Sequence, residues 1–435
     1  MNRLGLVLIG LVCLNSCKKD DDSITTTINQ IYNYATAYEY MDAIYTELAT
    51  QNLFSDAFLF LPVLYSDECE YIGSSNSGWQ QASNFNLSPD NTLLNETFLD
   101  FYVINSSLNY YFANVDTVQD QSLTDNVRKG LRAEGQALRA VLYFYLSNFW
   151  GEVPLVTDVE SSIADSLQEG ATAQELFDQI ESDLLYAEEN FQYLTIHNTN
   201  QRLNVWGVKA LLARLYLYNG EWALARQYAE DVINNSGITL ETTVSGIYSL
   251  SGSEHIWVLP ESLDDEAVAI YFLQGFANGQ HVVVPRENDF FEAGDKRRNV
   301  ALSQPGTTIL KYDDAFGNSD PLYMIRLSEM YLIAAEAACR ASSDFDGAED
   351  YINELRTRAG LADVELTAGN FEDVILQERR AELCYEGAHR WFDLKRTGKD
   401  VDELEEYGYA ATDDLWPFTT PFLEIFKSIE QNPGY

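Results

Sequence analysis

The sequence predicts a mainly α protein in which helical hairpins form a scaffold and one irregular, loop-rich lobe with short β pieces sits beside them. Two observations give that class. Apolar residues recur at helical spacing through most of the 435-residue chain, and the helical period disappears between residues 238 and 320 while holding on either side. The hydrophobic fraction of 46% supplies ample material for a substantial core.

Taken in order, the chain opens with Arg3 and an apolar run over residues 4–14, too short to span a bilayer and the right length for a signal-peptide core. Leu14-Asn15-Ser16-Cys17 looks like a bacterial lipobox. Residues 1–16 are therefore expected to be removed and Cys17 acylated, with residues 17–27 as a lipidated tether. Several acyl chains on one cysteine add enough buried CH2 groups for stable anchoring. No other stretch approaches the roughly 18 consecutive apolar residues that a spanning helix needs, so only the N-terminus is expected to touch lipid.

The folded part is expected over residues 28–435, with helical scaffold at about 28–235 and 321–396, the irregular lobe at about 238–320, and an irregular tail over 397–435. Residues 28–50 and 93–115 carry helical periodicity. Between them, residues 67–91 are rich in Ser, Asn and Gly, contain Trp79 and Pro89, and read as a long exposed loop. Such loops are uncommon in compact domains unless they have a function. Leu131, Gly135, Leu138, Leu142, Tyr145 and Phe149 follow at helical spacing until Gly151 and Pro154 stop the helix. Residues 172–190 predict another amphipathic helix, and 204–234 a hairpin broken at Asn219-Gly220. In that hairpin Leu212, Ala213, Tyr216 and Ala225 match the tetratricopeptide pattern, where small residues let two helices approach closely. Residues 323–340 and 346–358 predict a similar hairpin, and 371–395 a closing helix. Within the lobe, residues 256–259 and 281–284 are the β-prone pieces.

Lys plus Arg number 27 against 68 Asp plus Glu, a formal charge of -41, and a field of that sign repels phosphate backbones, which excludes nucleic acid as a partner. A local basic pocket around Lys296, Arg297 and Arg298 could overrule this average for an anionic ligand. Beyond Cys17 and the signal-peptide Cys13, three cysteines remain, Cys69, Cys339 and Cys384. Their odd number and lack of CxxC spacing argue against a disulfide framework or a zinc site. Cys339 and Cys384 read as small buried hydrophobes, and Cys69 as the thiol to watch for reactivity. The four histidines form neither HExxH nor a close pair, and GxSxG and Walker-type motifs are absent, so no enzyme is expected. No cofactor is expected either. Asp313, Asp314, Asn318 and Asp320 could offer oxygens to a structural calcium, but their spacing is not that of an EF-hand and a solvated polar turn is the simpler reading.

The candidate binding residues are aromatic. Trp79 lies in the polar loop with Tyr71, Asn76 and Gln80 close by. A flat ring beside amide side chains suits a sugar, whose C–H face stacks on the ring while its hydroxyls bond the amides. The alternative is that Trp79 folds back as the loop's own small core. Tyr271 and Phe272, with Phe276, form a second group in the lobe, and Trp257 reads as core.

Together these landmarks resemble one family. RAEGQALRA at residues 132–140, Tyr143-Phe144, and WGEVPL at 150–155 are similar to the N-terminal signature of the SusD/RagB outer-membrane lipoproteins of Bacteroidetes. RLSEMYL at 326–332, INELRTRAG at 352–360, ERRAE at 378–382, RWFDLKR at 390–396 and the final QNPGY at 431–435 resemble its later blocks. Glu378, Arg379, Glu382, Arg390 and Asp393 are read as an ion-pair network on one helix. The resemblance implies a SusD-like fold and a non-enzymatic, lipid-anchored protein on the extracellular face of the outer membrane. Its tetratricopeptide face would sit on a SusC-like TonB-dependent transporter and hand over a captured oligosaccharide or polysaccharide. The aromatic arc of glycan-binding members falls where Trp79 and Tyr271 occur. A peptide ligand, as in the family's peptide-importing branch, and a structural subunit with no ligand of its own are the competing readings.

Overall fold

The computed structural model describes residues 30–49, 52–73, 78–159, 169–194, 200–248, 252–260, 283–286, 290–304, 306–312 and 321–435. The signal peptide, Cys17 and its tether lie outside the described residues, as do Asn76, Tyr271, Phe272, Phe276 and the acidic turn with Asp313, Asp314, Asn318 and Asp320.

Ten longer helices carry the fold: α1 (Tyr34–Leu48), α2 (Thr92–Thr117), α3 (Asp125–Trp150), α4 (Ala173–Asn190), α5 (Val205–Asn219), α6 (Trp222–Asn235), α7 (Leu327–Ser342), α8 (Phe345–Ala359), α9 (Phe371–Leu383) and α10 (His389–Thr397). Several of their boundaries are set by capping chemistry visible in the sequence. Asn91, Thr124, Thr172 and Asn204 each accept a backbone N–H at the start of α2, α3, α4 and α5, and Gly220 ends α5 in the left-handed conformation at φ 77°. The expected tetratricopeptide contact is present: Leu212, Ala213 and Ala225 are fully buried and Tyr216 nearly so. Helix α3 packs on α4 and α2, and α6 on α5 and α7. At Gly135 an added Cβ would stand 2.6 Å from the Phe112 ring, so only glycine lets α2 come this close to α3.

Polar side chains bolt these helices together. Arg139 holds Asp183 with two bonds of 2.7 Å, joining α3 to α4, and Arg214 grips Glu329 at 2.7 and 2.6 Å, joining α5 to α7. Fork-to-carboxylate geometry of this kind is directional as well as attractive.

Three sequence expectations are corrected. Residues 67–91 are not one open loop: they contain strand β1 (Cys69–Tyr71) and a short helix, Gly78–Ser83, because backbone groups in a buried segment must find partners. The piece predicted as helix from 323 begins as strand β4 (Leu322–Arg326), fully buried and antiparallel to β2 (His255–Leu259). The closing helix is two helices, α9 and α10, separated by a turn in which Tyr385 and Gly387 take φ of 61° and 70°. A non-glycine residue in that region is strained; the turn is held by the Tyr385 N–H, which donates to Glu68 at 2.8 Å, and by Gly387, where a Cβ would stand 2.4 Å from the Phe58 carbonyl.

The tail is clamped rather than loose. Trp416 stacks on Phe149 at 4.0 Å between ring centres, and the Asn432 amide donates to the carbonyls of Trp150 and Trp416 at 3.0 and 2.7 Å. The WG and QNPG blocks, far apart in sequence, are two halves of this one clamp.

Candidate functional site at the ribbon end

Strand β1 pairs antiparallel with β3 (Val283–Pro285), in the register Cys69↔Pro285, Glu70↔Val284 and Tyr71↔Val283. This ribbon joins the Trp79 segment to the irregular lobe, and β3 directly follows residues 261–282, where Tyr271 and Phe272 fall. Arg286 ties the junction: its N–H donates to the Glu68 carbonyl at 2.9 Å, and its guanidinium to the Ser83 carbonyl at 2.7 Å while covering the Tyr407 ring at 4.6 Å.

Trp79 is not an exposed platform. It is 5% exposed, its Nε1–H donates to Asp56 at 2.8 Å, and its ring meets Phe60 and Tyr71 with centroids 4.9 and 6.2 Å apart. Tyr71 is likewise buried and folds back over Gly73, where an added Cβ would stand 2.1 Å from its hydroxyl. Trp79 thus turns inward as in the fold-back alternative, but onto another element and not as the loop's own small core. Sequence spacing could not reveal it, since Asp56 and Phe60 arrive from a nine-residue π-helical stretch, Asn52–Phe60, with no counterpart in the Trp79 segment itself. Gln80 is half-buried on the same short helix, and Ile72, at the tip of the ribbon, is 57% exposed. Val284 and Pro285, both partly exposed, lie further along the ribbon, opposite Glu70 and Cys69. The outer edge of β1 is already engaged: the Tyr71 N–H donates to Ser83 Oγ at 3.0 Å, and the Cys69 carbonyl accepts from Arg286 Nε at 3.3 Å.

Beneath the ribbon lies a charged floor. Asp67 accepts from Arg390 at 2.9 and 2.7 Å and from Arg380 at 2.9 Å. Glu68 is buried, and burial together with the Asp67 charge pushes its carboxyl up to about 8, so it is mostly protonated at neutral pH. Cys69, the thiol to watch for reactivity, is fully buried and burial pushes its thiol well up; a thiol so placed is inert. The basic group at 296–298 is not an open anion pocket, because Arg297 is buried against Asp295, Glu378 and Glu382. Glu378 and Glu382 lie on α9 and Arg390 and Asp393 on α10, so the network expected on one helix spans two. Among the described residues no group of His, Cys, Asp and Glu is placed to hold a metal. None of their helices is long and apolar enough to cross a membrane.

Two family models match the chain, one described as the SusD family over residues 308–435 and one as "Starch-binding associating with outer membrane" over residues 18–217. "SusD-like protein P2" of Formosa agariphila is 24% identical across 90% of both chains. A "SusD-like protein" of Bacteroides ovatus is 26% identical across 73% of this chain and 68% of its own. Among solved structures, a "Laminarin binding SusD-like protein" superposes with a TM-score of 0.80 at 23% identity, covering 93% of this chain and all of that one. "Surface glycan-binding protein A" from Bacteroides thetaiotaomicron gives 0.77 at 22%, covering 92% and 98%. The order of motifs, the helical-hairpin scaffold with its lobe, and models matching both ends place this chain in the SusD/RagB family.

Proposed function

We propose that the protein captures a neutral oligosaccharide or polysaccharide at the cell surface and passes it to a SusC-like TonB-dependent transporter, without catalysing a reaction. One observation carries the reading: the match of residues 18–217 to a model described as starch-binding and outer-membrane-associated. The names of the laminarin-binding and surface glycan-binding neighbours support it. Acylated Cys17 anchors the protein in outer-membrane lipid on the outer face, and the tetratricopeptide hairpins rest on the transporter.

We assign the ligand surface to residues that flank the ribbon in sequence. With Trp79 and Tyr71 committed to the core, Tyr271 and Phe272 supply the stacking rings, and Asn76 and Gln80 the amides. The test is calorimetric binding of the lipid-free protein, beginning after Cys17, to neutral glycans, anionic glycans and peptide digests. One neutral glycan should bind and lose at least tenfold in affinity in Tyr271→Ala or Phe272→Ala. Peptide binding without glycan binding would replace this reading by the peptide-importing one, and binding of neither would leave a structural transporter subunit.

A further inference from the structure

A second concavity lies away from the ribbon, where the C-terminal ends of α3 and α5 meet the start of α4 and the tail. It encloses about 750 Å³, within the range of ligand sites. Its walls include Phe144, Phe177 and Tyr218. The Tyr218 ring already serves a cation on another contact, carrying Arg396 at 5.6 Å from its centroid.

The rim is electronegative for three reasons. Glu152, Glu169 and Glu430 are exposed there, and no ion pair engages any of them among the described residues. The first two leave neighbouring backbone: Ala171 N–H donates to the Val153 carbonyl at 2.9 Å, and a Cβ on Gly170 would stand 2.3 Å from the Glu152 carbonyl. Finally, α3 and α5 both end at the cleft with no basic residue in their last turns, so two negative helix ends point there against one positive end, the start of α4, which Thr172 and Glu175 cap. Lys395 reaches one of these carbonyls, that of Asn148, at 2.8 Å, from the α10 side.

Aromatic and aliphatic walls below a carboxylate rim fit a side chain with an apolar stem and a cationic head. We propose that this cleft docks a Lys- or Arg-bearing segment of a protein partner, by charge complementarity, at a site distinct from the ribbon end. The inference does not depend on the glycan reading, since no residue is shared between the two sites.

The experiment measures anisotropy of a labelled octapeptide alternating Arg and Leu, at about 0.15 M salt, where diffuse attraction beyond roughly 8 Å is screened. A Glu/Leu octapeptide is the control. Ala173→Trp, which fills the cleft without changing charge, and the triple variant Glu152→Gln/Glu169→Gln/Glu430→Gln should each weaken binding at least tenfold. Glu96→Gln/Glu189→Gln/Glu406→Gln, exposed elsewhere, should stay within twofold of the parent. Should Ala173→Trp fail to fold by circular dichroism, the two triple variants decide alone. Equal loss in both triples, unchanged binding in a folded Ala173→Trp, or occupancy of the cleft by a neutral glycan in place of the peptide overturns the proposal.

Discussion

Two regions stitch distant segments onto the scaffold by opposite chemistry. Where the lobe meets α7, α8 and α9, the fastening is ionic: buried Arg326 contacts Glu254, Glu382 and Glu386, while Arg358 bonds Glu254 and Glu382. Where the tail meets α3 and α10, the fastening is aromatic: Phe149, Trp150, Trp391 and Trp416 lie face to face or edge to face with centroids 4.0–6.0 Å apart. The aromatic clamp gains chiefly from burial, at about 25 cal/mol per Å², to which the Asn432 amide and the Trp150 indole, donating to the Pro417 carbonyl at 3.1 Å, add hydrogen bonds. The ionic hub must first overcome desolvation, so its value lies in rejecting every arrangement that leaves a charge unpaired.

The sharpest way to break this contrast is Arg326→Met, which leaves three carboxylates around an apolar side chain. Loss of about 3–5 kcal/mol or more is expected, seen as failure to fold or as a large drop in urea midpoint. Trp416→Ala should cost a comparable ~3–5 kcal/mol through a cavity, but Trp416→Phe should recover most of it, whereas Arg326→Lys should recover little because a lysine cannot fork across several acids. A smaller loss, about 3 kcal/mol, is expected for Trp79→Ala, which empties a buried site and removes one donor from Asp56; full stability in this variant would return Trp79 to the surface.

Acid and base should also separate the regions. Burial raises Glu336, but Arg396, Arg379 and Arg340 outweigh it and hold the carboxyl at about 2; the stability it confers is present above the ordinary value of 4.5 and is lost as pH falls through 2. Glu68 runs the other way. Raised from 4.5 to about 8, it contributes stability below 4.5 that is lost as pH rises through 8, at about 1.4 kcal/mol per unit over the titration. Stability curves from pH 5 to 9 should therefore flatten in Glu68→Gln and be unaltered in slope by Glu336→Gln. The smallest effect belongs to the exposed Arg132–Asp116 pair: Asp116→Asn should stay within about 0.5 kcal/mol, and a larger change would show that surface pairs matter here as the buried hub does.

Much of the scaffold was legible because it is written locally. Caps such as Thr172 and Asn204, the break at Asn219-Gly220 and the small residues Ala213 and Ala225 act within one or two turns, and their consequences are visible in a short window. The candidate site was less legible. Trp79 looked exposed because its own segment is polar, while the residues that bury it come from another element. Cys69 looked available for the same reason. The ribbon's pairing of residues 69–71 with 283–285 has no signal in either strand, since a three-residue strand carries too little alternation to fix a partner.

The sequence by itself determined most of the long helices and several of their ends, the charge that repels polyanions and the order of motifs that marks the family, because periodicity, capping and composition are properties of neighbouring residues. Only the tertiary structure decided which carboxylates are paired, that Trp79 and Tyr71 face inward, that one predicted helix is two, and that α3, α4, α5 and the tail enclose a cleft. Burial and pairing depend on what arrives from far along the chain, and a side chain's environment sets whether it stacks, ionises or simply fills space.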